Sequence, residues 1–193
     1  MEAFYTLQGE GHHSGKAAYF IRLGGCDVGC VWCDVKESWD ADAHPQQSVT
    51  QIVQTALQHP ARMAVVTGGE PLMYDMNELT SELKKAGFQT NIETSGAYPL
   101  TGNWDWICFS PKKFKAPHES IYAHAHELKV IVYHKSDFEF AEKYAALVNQ
   151  NCVLLLQPEW SRAQEMTPLI VDYVKQYPQW RVSLQTHKYM EIP

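Results

Sequence analysis

Three cysteines on one glycine-rich loop are the residues of this sequence best suited to chemistry. Cys26, Cys30 and Cys33 lie within the segment GCDVGCVWCD at residues 25–34. Their thiolates could hold a zinc ion, which would need a distant fourth ligand because no second CxxC or HxxxH pair exists. They could instead hold a 4Fe-4S cluster, in which case one iron keeps an open position for a small molecule. Inert buried cysteines are the third interpretation.

The composition indicates a globular protein with reduced thiols. The length of 193 residues suits a single domain over 1–193, and 45% hydrophobic residues is an ordinary globular share. Five cysteines are an odd number and three are clustered, which argues against a disulfide framework and for a cytoplasmic location. The net charge of −6 disfavours a nucleic-acid partner, and no apolar run is long enough for a membrane helix.

Apolar segments alternate with helical patterns along the chain, which is typical of parallel βα units. The predicted strands are Ala18–Leu23, Ala64–Thr67, Gln89–Glu93, Trp106–Ser110, Leu128–Tyr133, Val153–Leu156 and Val182–Gln185. The predicted helices are Ser48–Gln58, Asp75–Ala86, Asp137–Val148 and Gln164–Tyr177. No helix is predicted over Ala97–Asp105 or Lys112–His126, since both contain proline. The predicted fold class is α/β, an incomplete (β/α) barrel with two helices missing and its chemistry at the carboxyl ends of the strands.

Further candidates lie at predicted strand ends. The segment VVTGGEP at residues 65–71 ends a strand, and its two glycines would let the backbone approach a ligand closely. Arg22 lies four residues before the first cysteine of the loop, where its guanidinium could bind a carboxylate or form a surface ion pair. Lys112 lies in the one basic region of an acidic chain. Four histidines are interpreted as exposed loop residues: His12, His13, His124 and His126.

These motifs together carry a family resemblance. The CxxxCxxC spacing, with Trp32 before the last cysteine, resembles the signature of the radical S-adenosylmethionine (SAM) superfamily, and GGEP resembles its element that binds the SAM amino group. Within that superfamily the chain is similar to the 7-carboxy-7-deazaguanine synthase family of queuosine and deazapurine biosynthesis. The similarity runs in order through LQGEG (7–11), FIRLGGC (20–26), CVWCD (30–34), VTGGEP (66–71), IETSG (92–96), SPK (110–112), LQP (156–158) and SLQTHK (183–188).

The resemblance implies a radical-SAM partial barrel and a definite reaction. A 4Fe-4S cluster would be bound by Cys26, Cys30 and Cys33, with SAM on its open iron. In the family, a radical derived from SAM abstracts hydrogen at C6 of 6-carboxy-5,6,7,8-tetrahydropterin. The ring contracts, ammonia leaves, and 7-carboxy-7-deazaguanine forms, which is a carbon–nitrogen lyase reaction in which SAM is regenerated.

The resemblance also implies the site residues and partners. SAM would be contacted by Trp32, Cys33, Asp34, Gly69, Thr94, Ser95, Ser110, Pro111 and Lys112. The substrate would be contacted by Leu7, Gln8, Gly9, Arg22, Thr67 and the carboxylate of Pro193, while His187 and Lys188 would close the pocket. A flavodoxin- or ferredoxin-like electron donor and a homodimer are expected.

One position departs from the family pattern. After CxxCD the family usually has threonine, whose hydroxyl joins a magnesium ion, and this chain has Val35. An aliphatic side chain offers no metal ligand, so the resemblance leaves Mg²⁺ in question. Two alternatives to the family also stay open: a glycyl-radical activase, which would share the cysteine motif and GGEP, and a non-enzymatic zinc or iron-sulfur module.

Overall fold

A single eight-stranded sheet organises the computed structural model, which describes all residues 1–193. The strands are β1 (Glu2–Leu7), β2 (Ala17–Leu23), β3 (Met63–Gly68), β4 (Gln89–Thr94), β5 (Trp106–Phe109), β6 (Glu127–Val132), β7 (Val153–Pro158) and β8 (Trp180–Val182). They are paired in chain order. The β1–β2 pair is antiparallel and every later pair is parallel. Because β1 and β8 do not pair, the sheet is an open partial barrel, as predicted.

Four helices cover the outer face of the sheet: α1 (Val49–Leu57), α2 (Asn77–Lys85), α3 (Asp137–Ala145) and α4 (Ala163–Gln176). A fifth helix, α5 (Thr186–Met190), follows β8 and contributes His187 to the pocket wall. The start of α1 is fixed by a capping box, in which Ser48 and Gln51 bond each other's backbone amides. The crossovers from β4 to β5 and from β5 to β6 contain no α-helix, which confirms the two predicted gaps. No helix is long and apolar enough to cross a membrane.

The two faces of the sheet differ in polarity. Residues that point outward, such as Ile92, Leu128 and Leu156, are fully buried against the helices in the main core. The alternate residues of the same strands point inward, and Lys129 and Gln157 are among them. Since side chains alternate between the faces of a strand, this pattern places an apolar core outside the sheet and a polar pocket inside it.

Two strands differ from those predicted. The sequence patterns did not predict β1, which is an antiparallel edge strand with no fully buried residue. The last strand lies at Trp180–Val182 rather than Val182–Gln185. The last backbone bond to β7 is donated to Leu156, at 2.9 Å, by the amide of Ser183. The Ser183 hydroxyl donates to Gln157 at 2.7 Å and accepts from the amide of Gly11 at 3.0 Å. The end of the chain is therefore drawn across the pocket instead of continuing along the sheet.

Candidate active site

One large pocket occupies the inside of the partial barrel. It is lined by the ends of the parallel strands, the cysteine loop, the segment after β1 and the end of the chain. Most residues with a predicted SAM contact line it, namely Trp32, Cys33, Asp34, Gly69, Thr94, Ser95, Ser110 and Lys112. All residues with a predicted substrate contact also line it, namely Leu7, Gln8, Gly9, Arg22, Thr67 and Pro193. Pro111 is buried but is not part of the wall.

The cysteine loop is held by backbone hydrogen bonds. The amide of Gly25 donates to Ser38 at 2.7 Å, and that of Cys26 donates to Trp39 at 3.2 Å. The GGEP segment packs against the same loop, since the amide of Glu70 donates to the carbonyl of Gly25 at 2.8 Å. A Cβ atom on Gly69 would overlap that carbonyl. The glycine is therefore required for close approach of the two motifs, and the motifs form one unit.

The three clustered thiols all line the pocket. Burial raises the pKa of Cys26 and raises that of Cys30 to about 11, and neighbouring thiolates add to both shifts. No three His, Cys, Asp or Glu side chains are gathered as the ligands of one metal ion would be. A 4Fe-4S cluster is compatible with this looser set, because each thiolate binds its own iron and the cationic irons stabilise the deprotonated form. Cys108 and Cys152 lie apart from these three as buried thiols.

A buried carboxylate fixes the strand ends beside the cysteine loop. Glu70, only 1% exposed, accepts hydrogen bonds from the amides of Ser95 at 2.8 Å and Leu72 at 3.1 Å. The hydroxyls of Thr94 and Ser95 donate to the same carboxylate. Each hydroxyl also accepts a hydrogen bond from a backbone amide, that of Thr94 from Gly96 at 2.9 Å and that of Ser95 from Ala97 at 3.3 Å, so one lone pair on each oxygen stays available.

Arg22 forms an ion pair and also lines the pocket. Its Nη1 donates to Glu2 at 2.8 Å across the β1–β2 pair, and its Cζ lies 4.8 Å from the ring centroid of Phe4. Phe4 in turn stacks on Phe20 at 5.5 Å. Arg22 also lines the pocket. A guanidinium has five donors, so this ion pair leaves part of the fork free for a ligand carboxylate.

Lys112 and the end of the chain close the opposite wall. Lys112 Nζ donates to the Ser110 hydroxyl at 2.6 Å and lies 5.7 Å from the ring centroid of Trp32. Burial lowers the pKa of this ammonium. His187 lines the pocket, and the Nζ of Lys188 binds Asp34 at 3.2 Å. The ammonium groups of Lys112 and Lys188 thereby lie next to Trp32 and Asp34 of the cysteine loop.

A charged network at the pocket floor was missed at the sequence level. Lys129 is 3% exposed and pairs with Glu93 at 2.9 Å and with Glu10. Gln8 Nε2 donates to Glu93 at 2.8 Å, and Gln185 Nε2 donates to Glu10 at 2.8 Å. Burial alone would raise the pKa of Glu10, but the charge of Lys129 and these hydrogen bonds lower it to about 2. The network therefore holds two carboxylates and one ammonium in fixed positions.

The segment Gln157–Trp160 at the end of β7 also lines the pocket and was not assigned a role from the sequence. Two signals pointed to these missed groups. One was the strand-end rule for βα folds, which applies to Gln157. The other was the presence of single polar residues such as Glu93 and Lys129 within apolar strand segments.

Three of the four histidines pack around Trp106, and two of them contradict the sequence-based interpretation: His13 is buried and His126 is half-buried, whereas His12 is exposed as predicted. Trp106 stacks between His12 at 4.6 Å and His126 at 5.1 Å, with His13 edge-on at 4.7 Å. His124 is also exposed, as predicted, and lies outside this cluster. None of them lines the large pocket.

An open βα sheet with three thiols beside a GGEP turn at its carboxyl edge is the arrangement of a radical SAM protein. The radical SAM superfamily model matches residues 20–108 of the chain. A 7-carboxy-7-deazaguanine synthase of Flavobacterium psychrophilum is 63% identical over 193 residues, covering 100% of this chain and 91% of the relative. Another of that name, from Synechocystis, is 50% identical and covers 99% of this chain and 91% of the relative.

The chain belongs to the 7-carboxy-7-deazaguanine synthase family. A solved structure supports this placement: the crystal structure of QueE from Escherichia coli matches with a TM-score of 0.86 and 33% identity, covering 96% of this chain and 92% of that one. These relatives favour the synthase family over the glycyl-radical activase and the non-enzymatic binding module. Membership of the radical SAM superfamily implies a 4Fe-4S cluster and SAM.

Proposed function

We propose that this chain converts 6-carboxy-5,6,7,8-tetrahydropterin into 7-carboxy-7-deazaguanine, with ring contraction and loss of ammonia, as a carbon–nitrogen lyase of queuosine or deazapurine biosynthesis. The observation that carries the proposal is one pocket that joins three thiols, a guanidinium with free donors and a buried row of amides and carboxylates. The first set suits a redox cofactor. The others suit a small, flat molecule that has both a carboxylate and a donor-rich edge.

The cofactors occupy the side of the pocket at the cysteine loop. Cys26, Cys30 and Cys33 would hold the cluster, and Trp32, Asp34, Gly69, Thr94, Ser95, Ser110 and Lys112 would contact SAM. When bound, the two groups would supply the radical that removes hydrogen from the substrate. Pro111 is left out of these contacts, because it is buried outside the pocket wall. The raised pKa of the neighbouring Lys129 keeps a positive charge in the pocket throughout.

The substrate occupies the side nearer β1. Arg22 binds the substrate carboxylate through the guanidinium N–H donors that Glu2 leaves free. The backbone of Leu7, Gln8 and Gly9 reads the pterin edge, where donors and acceptors alternate. Thr67 and Pro193 complete the substrate contacts, and the Thr6 hydroxyl donates to the Pro193 oxygen at 3.4 Å.

Turnover after anaerobic reconstitution tests this function. The protein, SAM, a strong reductant and the carboxytetrahydropterin are combined, and 7-carboxy-7-deazaguanine is sought by mass spectrometry. Cys30→Ala should lose both product and bound iron, whereas the matched variant Cys152→Ala should keep about four irons per chain, because Cys152 is a core thiol. SAM cleavage with an untouched pterin would retain the superfamily chemistry and reject the substrate.

The partners in this proposal rest on the family rather than on contacts. The protein acts as a single cytoplasmic domain over 1–193, forms a homodimer, and receives electrons from a flavodoxin- or ferredoxin-like donor. Sedimentation would test the dimer, and turnover with a reduced flavodoxin in place of the chemical reductant would test the donor. Magnesium is left out of the proposal, because the residue at its expected position offers no ligand.

A further inference from the structure

We propose that this chain binds no catalytic magnesium ion and turns its substrate over without one. The inference rests on the proposed function, since it concerns the metal expected beside that substrate. Its starting point is Val35, which stands where the family usually has threonine. Whether another oxygen nearby could take over as ligand depends on the bonding of three groups: the Val35 carbonyl, the Asp34 carboxylate and the Ser38 hydroxyl.

Val35 itself presents only hydrocarbon to the pocket. It lies directly after the cysteine loop and lines the pocket wall. It is also the residue before the 3₁₀ turn Lys36–Ser38, with φ −132° and ψ 55°. Magnesium requires oxygen ligands in near-octahedral geometry and gives up its water reluctantly. A wall of methyl groups at this point removes the one protein ligand that the family supplies and also disfavours a hydrated ion.

The Val35 carbonyl is already engaged. It accepts the Ser38 hydroxyl at 2.6 Å and the Ser38 amide at 3.0 Å. Two donors use the two lone pairs of a carbonyl oxygen, so none remains for a cation. The Ser38 hydroxyl oxygen keeps its lone pairs, but Ser38 is only 1% exposed and is therefore shielded from an ion in the pocket. Releasing either group would unwind the turn that carries the loop amide bond from Gly25 to Ser38.

An ammonium already compensates the charge of the adjacent Asp34 carboxylate, although only one of its two oxygens is bonded. Asp34 Oδ2 lies 3.2 Å from the Nζ of Lys188 and 3.4 Å from the Nε2 of Gln185. The positive charge beside residue 35 is thus an ammonium from the end of the chain. On the other side of the pocket, Arg22 supplies a second cation. A substrate carboxylate can therefore be bound by the guanidinium donors that Glu2 leaves free, without a metal ion.

Manganese binding gives a test that does not depend on turnover. Mn²⁺ would be titrated, with its EPR signal as readout, into the reconstituted protein containing SAM and 6-carboxypterin as an unreactive ligand. Wild type should leave the free-ion signal unchanged. Val35→Thr should bind Mn²⁺ at least about tenfold more tightly, since even outer-shell partners change metal affinity by about 10–100-fold. Val35→Ile, a matched aliphatic control, should behave as wild type.

Turnover with and without added Mg²⁺, after treatment with a chelator, completes the test. The wild-type rate should be the same in both, and the Val35→Thr rate should rise with Mg²⁺. Wild-type binding of Mn²⁺ as tight as that of Val35→Thr would overturn the inference, as would binding that disappears in Ser38→Ala, or wild-type turnover that requires Mg²⁺. Absence of product from every variant would reject the proposed function, and the Mn²⁺ titration would still decide the metal question.

Discussion

The ammonium of Lys129 is the group in the pocket whose removal should cost the most stability. It lies on β6, 3% exposed, between the carboxylates of Glu10 and Glu93. Lys129→Met keeps the length of the side chain but leaves both carboxylates without a counter-charge. Breaking a buried ion pair by removing one partner costs about 3–5 kcal/mol. For a chain of this length each kcal/mol lowers Tm by about 2–4 °C, so the expected loss is roughly 6–20 °C.

Acid should narrow the difference between this variant and wild type. Burial tends to raise the pKa of Glu10, but Lys129 and the hydrogen bonds lower it from 4.5 to about 2. A carboxyl group with a lowered pKa in the folded protein stabilises it above the unfolded pKa, and this stabilisation is lost as pH falls from 4.5 to 2. The wild-type protein has this stabilisation from the ionised Glu10 carboxylate, and the Lys129→Met variant lacks it. Their unfolding free energies, measured by urea titration, should therefore converge over this range.

Two further variants separate this cause from general damage. Lys129→Met/Glu10→Gln removes one of the unpaired charges and should recover part of the lost Tm, because a glutamine can keep the bond from Gln185. Lys175→Met removes an ammonium whose side chain is 73% exposed, 3.6 Å from Asp172, and should change the free energy of unfolding by at most about 1 kcal/mol. The reasoning is refuted if Lys129→Met also costs less than about 1 kcal/mol, or if the double variant is less stable than the single one.

Three other changes should have measurable effects. Glu70 accepts four hydrogen bonds, and Glu70→Gln replaces one accepting oxygen by an NH₂ group, which should lower the free energy of unfolding in urea by about 1–3 kcal/mol. The control Glu78→Gln, at an exposed position, should leave the free energy of unfolding almost unchanged. Gly69→Ala should lower bound iron in reconstituted protein, since its Cβ would overlap the Gly25 carbonyl. Burial, together with the charges of Lys16 and His12, lowers the pKa of His13 from 6.5 to about 4, so the free energy of unfolding should fall as pH drops over this range. His13→Gln should flatten this dependence of the unfolding free energy on pH, and an unchanged dependence would exclude His13 as its source.

The parallel part of the sheet could be predicted because its strands are apolar and bounded by turns. Segments such as Ala64–Thr67 and Val153–Leu156 are recognisable from composition alone. The missing helices were predictable for the converse reason, since proline interrupts both crossovers. β1 was not predictable in this way. It pairs on one side only and none of its residues is fully buried, so its sequence EAFYTL lacks the pattern of a core strand.

The residues of the site also differ in how far they could be predicted from the sequence. Residues in compact motifs, such as the cysteine loop and GGEP, could be assigned because their spacing is local. Lys129 belongs to no compact motif. Its partner Glu10 lies 119 residues away in sequence, and its partner Glu93 lies 36 residues away. Only the fold brings such residues together. Their strand positions carried the available signal, because alternation places every second residue of β4 and β6 on the inner face.

The contacts between the two ends of the chain explain how an open barrel can enclose a pocket. β1 and β8 are not paired, and two segments that follow them are bonded to each other: QGEG after β1, and QTHK, which includes the start of α5, after β8. The Thr186 amide and hydroxyl both donate to the Gly9 carbonyl, at 2.8 and 2.9 Å, and Gln185 donates to Glu10. The same short segments thus form part of the pocket wall and fix the position of the Glu10 carboxylate. Because one set of bonds serves both purposes, a change in either segment should disturb enclosure and recognition together, whereas changes in the outer helices should affect stability alone.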